Sequence, residues 1–171
     1  SASPLMTAFT EHVLDTALAA ANATRWGRLC PPFHAILDEL PSTAPLPTLR
    51  TRMANERALG VSFIWAAQAW PQLSAIFGEP EARTLLSLTN NLIVFGGSKD
   101  VAFNQEVSDL LGPVRVSRTT YQHGRMGGRQ VSADDIPILT AAEIRQLKER
   151  HALVITENAA PIIATLTRCI D

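Results

Sequence analysis

Three short apolar runs, set apart by helical stretches, restrict this chain to an α/β architecture. Residues 33–37, 61–67 and 92–95 are too short for buried helices and rich in Phe, Ile, Val and Trp, the composition of packed, pleated strands. Residues 5–24 precede them as an amphipathic helix, with Phe9, Val13 and Ala17 along one face and Leu14, Leu18 and Ala21 beside it. Further helices are predicted over residues 48–58, 70–77, 79–88 and 98–111, the last capped by Ser98 or Asp100. Helix and strand in alternation imply right-handed crossovers and a mainly parallel sheet with helices on both faces. Thr140-Ala141-Ala142-Glu143 is a capping-box sequence, and residues 151–166 close the chain as a β-hairpin.

The first apolar run stops abruptly at Asp38-Glu39. Open α/β sheets bind ligands in the crevice outside the carboxyl ends of their strands. Two acids there suit nucleotide hydrolysis: Asp38 would hold Mg²⁺ through water, and Glu39 would polarise the attacking water. The second run ends at Gln68, whose carboxamide offers both a donor and an acceptor to a γ-phosphate or to that water. The same residues also read without any such role, the acids as a solvated strand end and Gln68 as the cap of the next helix. Residues 41–47 are too proline-rich for regular structure, and Arg50, Arg52 and Arg57 read as a solvated basic face.

The bulk numbers narrow the classes of function. The 171 residues suit one domain; 46% are hydrophobic and 18% charged, and the formal net charge is −1. A domain that wrapped nucleic acid with its whole surface would be far more basic, so such contact must be local. The candidate is a basic loop within residues 114–133, where Arg115, Arg118, Arg125 and Arg129 occur with three glycines and no acid. It reads as two short β-like pieces around a flexible loop that contacts phosphate, nucleic acid or a neighbouring subunit, or simply as a mobile surface loop. Cys30 and Cys169 match no metal spacing and read as buried or half-buried free thiols. No apolar stretch reaches transmembrane length, which predicts a soluble polypeptide without direct membrane contact.

No G-x-x-x-x-G-K-[ST] occurs in the sequence, so neither Gly96-Gly97 nor Gly127-Gly128 can cradle a triphosphate in that way. An ordered set of motifs is nevertheless present. It begins with Ala35-Ile36-Leu37-Asp38-Glu39-Leu40, Leu46-Pro47-Thr48-Leu49 and Arg57-Ala58-Leu59-Gly60-Val61. It continues through Ala67-Gln68, Gln72-Leu73, Phe77-Gly78 and Asn91-Leu92-Ile93-Val94-Phe95-Gly96-Gly97. Leu110-Leu111-Gly112 and Ile138-Leu139-Thr140-Ala141-Ala142-Glu143-Ile144 complete it. The set resembles the C-terminal half of the motor domain of type IV secretion coupling proteins, the TraG/TraD class of conjugation ATPases, in the part called the TraM-recognition region.

That resemblance covers nearly the whole chain. It implies a partial RecA-like three-layer α/β fold, with residues 1–171 a single motor domain lacking its P-loop half. The parent would be a bacterial, homo-hexameric ATPase at the cytoplasmic face of the inner membrane. It would use ATP and Mg²⁺ to move DNA or protein and would dock relaxosome or secretion-system proteins. Asp38 and Glu39 would be the Walker B acids and Gln68 a γ-phosphate sensor. Arg57 would be an arginine finger acting on ATP held by the next subunit. Asn55-Glu56 stand before Arg57 where the family often carries small or basic residues, which places Glu56 to pair with Arg57 or misdirect it. This stretch alone would bind no nucleotide and be inactive. The competing readings are a protein-binding module without nucleotide chemistry and part of a FtsK-like DNA translocase.

Overall fold

A computed structural model describes residues 3–43, 45–121 and 129–169, and the chain divides into two compact units, Ser1–Asn90 and Asn91–Asp171. The first unit contains helix α1 (Ser3–Ala23), strand β1 (Phe33–Leu37), helices α2 (Leu40–Thr43) and α3 (Leu49–Asn55), and a 3₁₀ turn (Glu56–Leu59). Strand β2 (Val61–Trp65) and helices α4 (Trp70–Phe77) and α5 (Glu79–Ser87) follow. β1 and β2 are parallel, with Phe33 opposite Val61 and Leu37 opposite Trp65. Helical spacing carries Leu14, Ala17 and Ala21 into the interior, while Phe9 lies outside it. The core gathers Leu14, Ala35, Leu37, Leu40, Leu49, Val61, Leu73 and Leu85.

Several expectations are revised in this unit. The strand period of two sends Ala35 and Leu37 inward and leaves Ile36 70% and Ile64 57% exposed, so the β1–β2 pair is buried on one face only. Residues 41–43 of the proline-rich segment join Leu40 in a helical turn, since a proline in the first turn costs no intrahelical bond. Cys30 is an exposed free thiol, as is Cys169 in the second unit, because each lies outside the packed elements.

Gly60 turns the chain into β2. Its φ of +81° is left-handed, and a Cβ added there would lie 2.7 Å from the Leu29 carbonyl oxygen. The close approach is needed, because Leu29 N–H donates to the Leu59 carbonyl and Phe33 N–H to the Gly60 carbonyl, each at 2.8 Å. Gly60→Ala is expected to cost about 2 kcal/mol or more from the left-handed backbone and the contact together. Urea unfolding of the two proteins measures it.

The second unit contains β3 (Asn91–Phe95), α6 (Val101–Leu111), β4 (Pro113–Tyr121), β5 (Arg129–Pro137), α7 (Ala141–Arg145), β6 (His151–Thr156) and β7 (Ala159–Thr165). β3 pairs antiparallel with β6, and β6 with β7. The expected third buried parallel strand is therefore the edge of an antiparallel sheet, and of its apolar run only Val94 is buried, with Ile93 52% and Phe95 56% exposed. Val94, Val107, Ile144 and Leu153 form this unit's core. The predicted caps are present: Asp100 accepts from Phe103 N–H at 3.0 Å, and Thr140 and Glu143 close a reciprocal capping box. The closing hairpin and the β4–β5 hairpin both form as antiparallel pairs.

Candidate functional site

β1 and β2 are zipped together at their carboxyl ends. Ala66 N–H donates to the Leu37 carbonyl at 3.1 Å, and Leu40 N–H to the Ala66 carbonyl at 3.0 Å. Asp38 and Glu39 make the turn between β1 and α2, Asp38 exposed and Glu39 half-buried. Glu39 has a φ of +53°, a left-handed backbone that costs a non-glycine residue about 1–2 kcal/mol. Ser42 N–H holds the turn by donating to the Glu39 carbonyl at 3.0 Å. Gln68 lies exposed in the segment that leaves β2 from the same end. Its alternative reading as a cap is removed: Ala69 is the N-cap of α4, and no side chain caps that helix. Both acids and the carboxamide thus share one edge of the parallel pair.

Arg57 sits in the 3₁₀ turn that enters β2, at the opposite edge. Five strand residues separate the two edges, roughly 16 Å at ~3.3 Å per residue. Arg57 is exposed and donates from Nη1 to Asn90 Oδ1 at 3.0 Å. The expected pairing with Glu56 is not made, because Glu56 turns inward to Arg52 Nη1 at 2.9 Å.

Arg52 departs furthest from its expected place. Instead of a solvated face it is 8% exposed, and Glu56 is 6% exposed. Arg52 Nη2 donates to Glu11 at 2.7 Å and to Asp15, both on α1, and Nε donates to Thr48 Oγ1 at 2.9 Å. Burial alone would lower the guanidinium pKa, but the hydrogen bonds to Asp15 and Glu11 and the charges of Glu56 and Glu11 outweigh it and raise it. For Glu56, burial raises the pKa above the ordinary carboxylate value against the opposing pull of Arg52. Its Oε2 is buried without a hydrogen-bond partner. The signal for this cluster was the four-residue spacing of Glu11 with Asp15 and of Arg52 with Glu56.

The two expected β-like pieces of the basic stretch are present as the antiparallel pair β4–β5, and the loop between them, residues 122–128, lies outside the described residues. Arg115 lies directly opposite Asp135 and Val116 opposite Asp134, so acids just beyond the stretch offset its charge. The backbones of Arg118 and Arg129 pair with Ser132 and Tyr121; Arg125 lies outside the described residues.

No group of three or more His, Cys, Asp or Glu among the described residues could hold a metal ion by itself. An exposed strand-tip carboxylate such as Asp38 fits a different mode, in which Mg²⁺ keeps most of its water and takes oxygens from a nucleotide. No helix among the described residues is long and apolar enough to cross a membrane.

Residues 32–149 match the family model described as the TraM recognition site of TraD and TraG. Among solved structures, the bacterial conjugative coupling protein TrwBΔN70 in its unbound monoclinic form superposes with a TM-score of 0.76 at 24% identity, covering 97% of this chain. The plasmid coupling protein TrwB with the ATP analogue ADPNP gives 0.74 at 23% identity over the same 97%. TrwB with ADP and Mg²⁺ gives 0.71 at 24% identity, again over 97%. The chain spans 37–38% of the length of these structures. No curated protein matches the sequence. The likeness shows a RecA-like α/β fold, here with one parallel and three antiparallel strand pairings among the described residues.

Proposed function

The chain belongs to the family of the TraM recognition site of TraD and TraG, and from that premise we propose that it is the C-terminal part of the ATP-driven motor of a conjugation coupling protein. One observation carries the reading: Asp38, Glu39 and Gln68 lie together at the carboxyl edge of β1 and β2, with Arg57 at the other edge. Nucleotide sits outside the carboxyl edge in α/β folds of this kind. Asp38 would hold Mg²⁺ through water, and the metal would supply charge neutralisation at the phosphates. Glu39 accepts a hydrogen bond from the attacking water and aligns it, and Gln68 bonds the γ-phosphate or that water. The half-buried position of Glu39, beside the exposed Asp38, suits this division of work. TrwB structures with ADPNP and with ADP and Mg²⁺ support the choice of nucleotide and metal.

Arg57 cannot serve the acids of its own chain across roughly 16 Å of strand. It acts on nucleotide held by a neighbouring copy in a ring of identical subunits, six in the reading favoured here. In this reading both units are parts of one motor domain, which the span of the family match across residues 32–149 supports. The parent works at the cytoplasmic face of the bacterial inner membrane, handing plasmid DNA with its attached proteins to a secretion channel. A second reading, docking of a relaxosome protein without nucleotide chemistry, is favoured by the family's description as a recognition site.

The test uses the longer coupling protein that carries this sequence. Glu39→Gln is expected to lower Mg²⁺-dependent ATP turnover by about 10²–10⁴-fold while nucleotide binding persists, since only the alignment of water is lost. Unchanged turnover would overturn the assignment and leave the docking reading in first place. The 171-residue chain alone is expected to show no turnover, for want of a phosphate-cradling loop in its sequence.

A further inference from the structure

Arg57 keeps its charge although an acid adjoins it in the chain. Glu56, its neighbour in the 3₁₀ turn, is 6% exposed and bonded inward to Arg52 Nη1 at 2.9 Å. Arg57 makes no ion pair among the described residues. Its backbone is fixed, because Gly60 N–H donates to the Arg57 carbonyl at 3.1 Å and Gly60 is itself seated against Leu29. Its side chain is held by Asn90, whose Oδ1 accepts from Nη1 at 3.0 Å. A guanidinium is a rigid fork of several N–H donors, so the others remain for a ligand.

Asn90 rests on packed structure. It stands just past α5, whose carboxyl end is anchored turn by turn. Leu88 N–H donates to the Thr84 carbonyl at 3.0 Å, Thr89 N–H to Leu86 at 3.1 Å and Thr89 Oγ1 to Leu85 at 3.0 Å. α5 buries Ala82 and Leu85 completely, and the Arg50–Glu81 pair at 2.9 Å ties it to α3, which runs into the turn that bears Arg57. Both ends of the Arg57–Asn90 bond are therefore supported by helices, the condition for holding a side chain in one direction. The chemistry of the acceptor matters as well. A carboxamide oxygen takes one N–H and leaves the positive charge whole. A carboxylate in its place would form a stronger, charge-assisted pair and keep the fork for itself.

We propose that Asn90 is a positioning residue for Arg57: it aims the guanidinium without neutralising it, while Arg52 keeps Glu56 from pairing with the same fork. The proposal rests on the reading of Arg57 as acting on nucleotide held by a neighbouring copy. It places the positioning residue on the copy that lends the arginine, 33 residues further along, and not on the copy whose acids are served.

The test uses the intact coupling protein and its ATP turnover. Asn90→Ala is expected to lower kcat by about two- to tenfold, the worth of one neutral hydrogen bond. Asn90→Asp is expected to lower it at least about tenfold, because Arg57 must leave a charged partner to reach the nucleotide. Nucleotide affinity should not move in either variant, since the acids of the neighbouring copy are untouched. Mixed rings separate positioning from a structural role. Asn90→Asp subunits mixed with Glu39→Gln subunits should turn over faster than Asn90→Asp alone, because the Glu39→Gln copies lend an unhindered arginine to intact acids. Mixed with Arg57→Ala subunits they should turn over more slowly than alone. The reverse pattern, or no gain with Glu39→Gln, would overturn the proposal. So would wild-type kcat in both Asn90 variants while Arg57→Ala is impaired, which leaves the reading of Arg57 standing. An unimpaired Arg57→Ala would remove that reading and this proposal with it.

Discussion

Arg52→Ala is expected to destabilise the protein by about 3–5 kcal/mol, a large part of the total stability of a domain this size. The substitution leaves Glu56 buried with neither carboxylate oxygen matched by Arg52, and it unpins Glu11 and Asp15 of α1 from α3. Removing one partner of a buried ionic cluster costs more than the cluster itself contributes, because an uncompensated charge remains in the interior. Arg52→Lys keeps the charge but not the planar fork, so it cannot reach Thr48, Glu11, Asp15 and Glu56 together, and an intermediate loss is expected. The pH dependence has a definite sign. The folded-state pKa of Glu56 lies above its ordinary 4.5, so between the two values the folded protein binds the proton more tightly than the unfolded chain. The contribution of Glu56 therefore becomes more favourable as pH falls through the folded pKa towards 4.5, and is constant below that. Without Arg52 the effect of burial is unopposed and the folded pKa rises further. The loss from Arg52→Ala should accordingly shrink from pH 8 towards pH 5, as read by urea unfolding across that range.

Arg57→Ala in the intact coupling protein is expected to reduce ATP turnover by about 10³–10⁵-fold, the usual contribution of an arginine supplied to a phosphoryl-transfer transition state. Stability should hardly change, because the side chain is exposed and its hydrogen bond is to Asn90, itself at the surface end of the unit's last segment. The position of Arg57 at the far edge of β2 from Asp38 and Glu39 makes the prediction specific. Subunits carrying Arg57→Ala still own intact acids, and subunits carrying Glu39→Gln still own an intact arginine. Rings mixed from the two variants should recover turnover that neither variant shows alone, at those interfaces where an intact arginine meets intact acids. Mixed rings no more active than either parent would show that Arg57 does not act across subunits.

The short-range features of this chain were open to reading from adjacent residues. Apolar period, proline and glycine punctuation and cap chemistry placed α1, β1, β2, the Asp100 cap, the Thr140–Glu143 box and the closing hairpin, because each is decided within a few residues. The same reasoning set Asp38 and Glu39 at a strand tip and Gln68 beyond another, and the register of β1 with β2 puts those tips side by side. Other features rest on partners remote in sequence. Arg52 looked like one more exposed cation, and only the packing of α1 against it, 41 residues earlier at Glu11, makes it an internal ion cluster. β3 looked like a third parallel strand until β6 arrived beside it from the other direction. A side chain's period along an element states which residues prefer to leave water; which surface receives them, and whether a charge goes with them, is settled by elements folded against it from elsewhere in the chain.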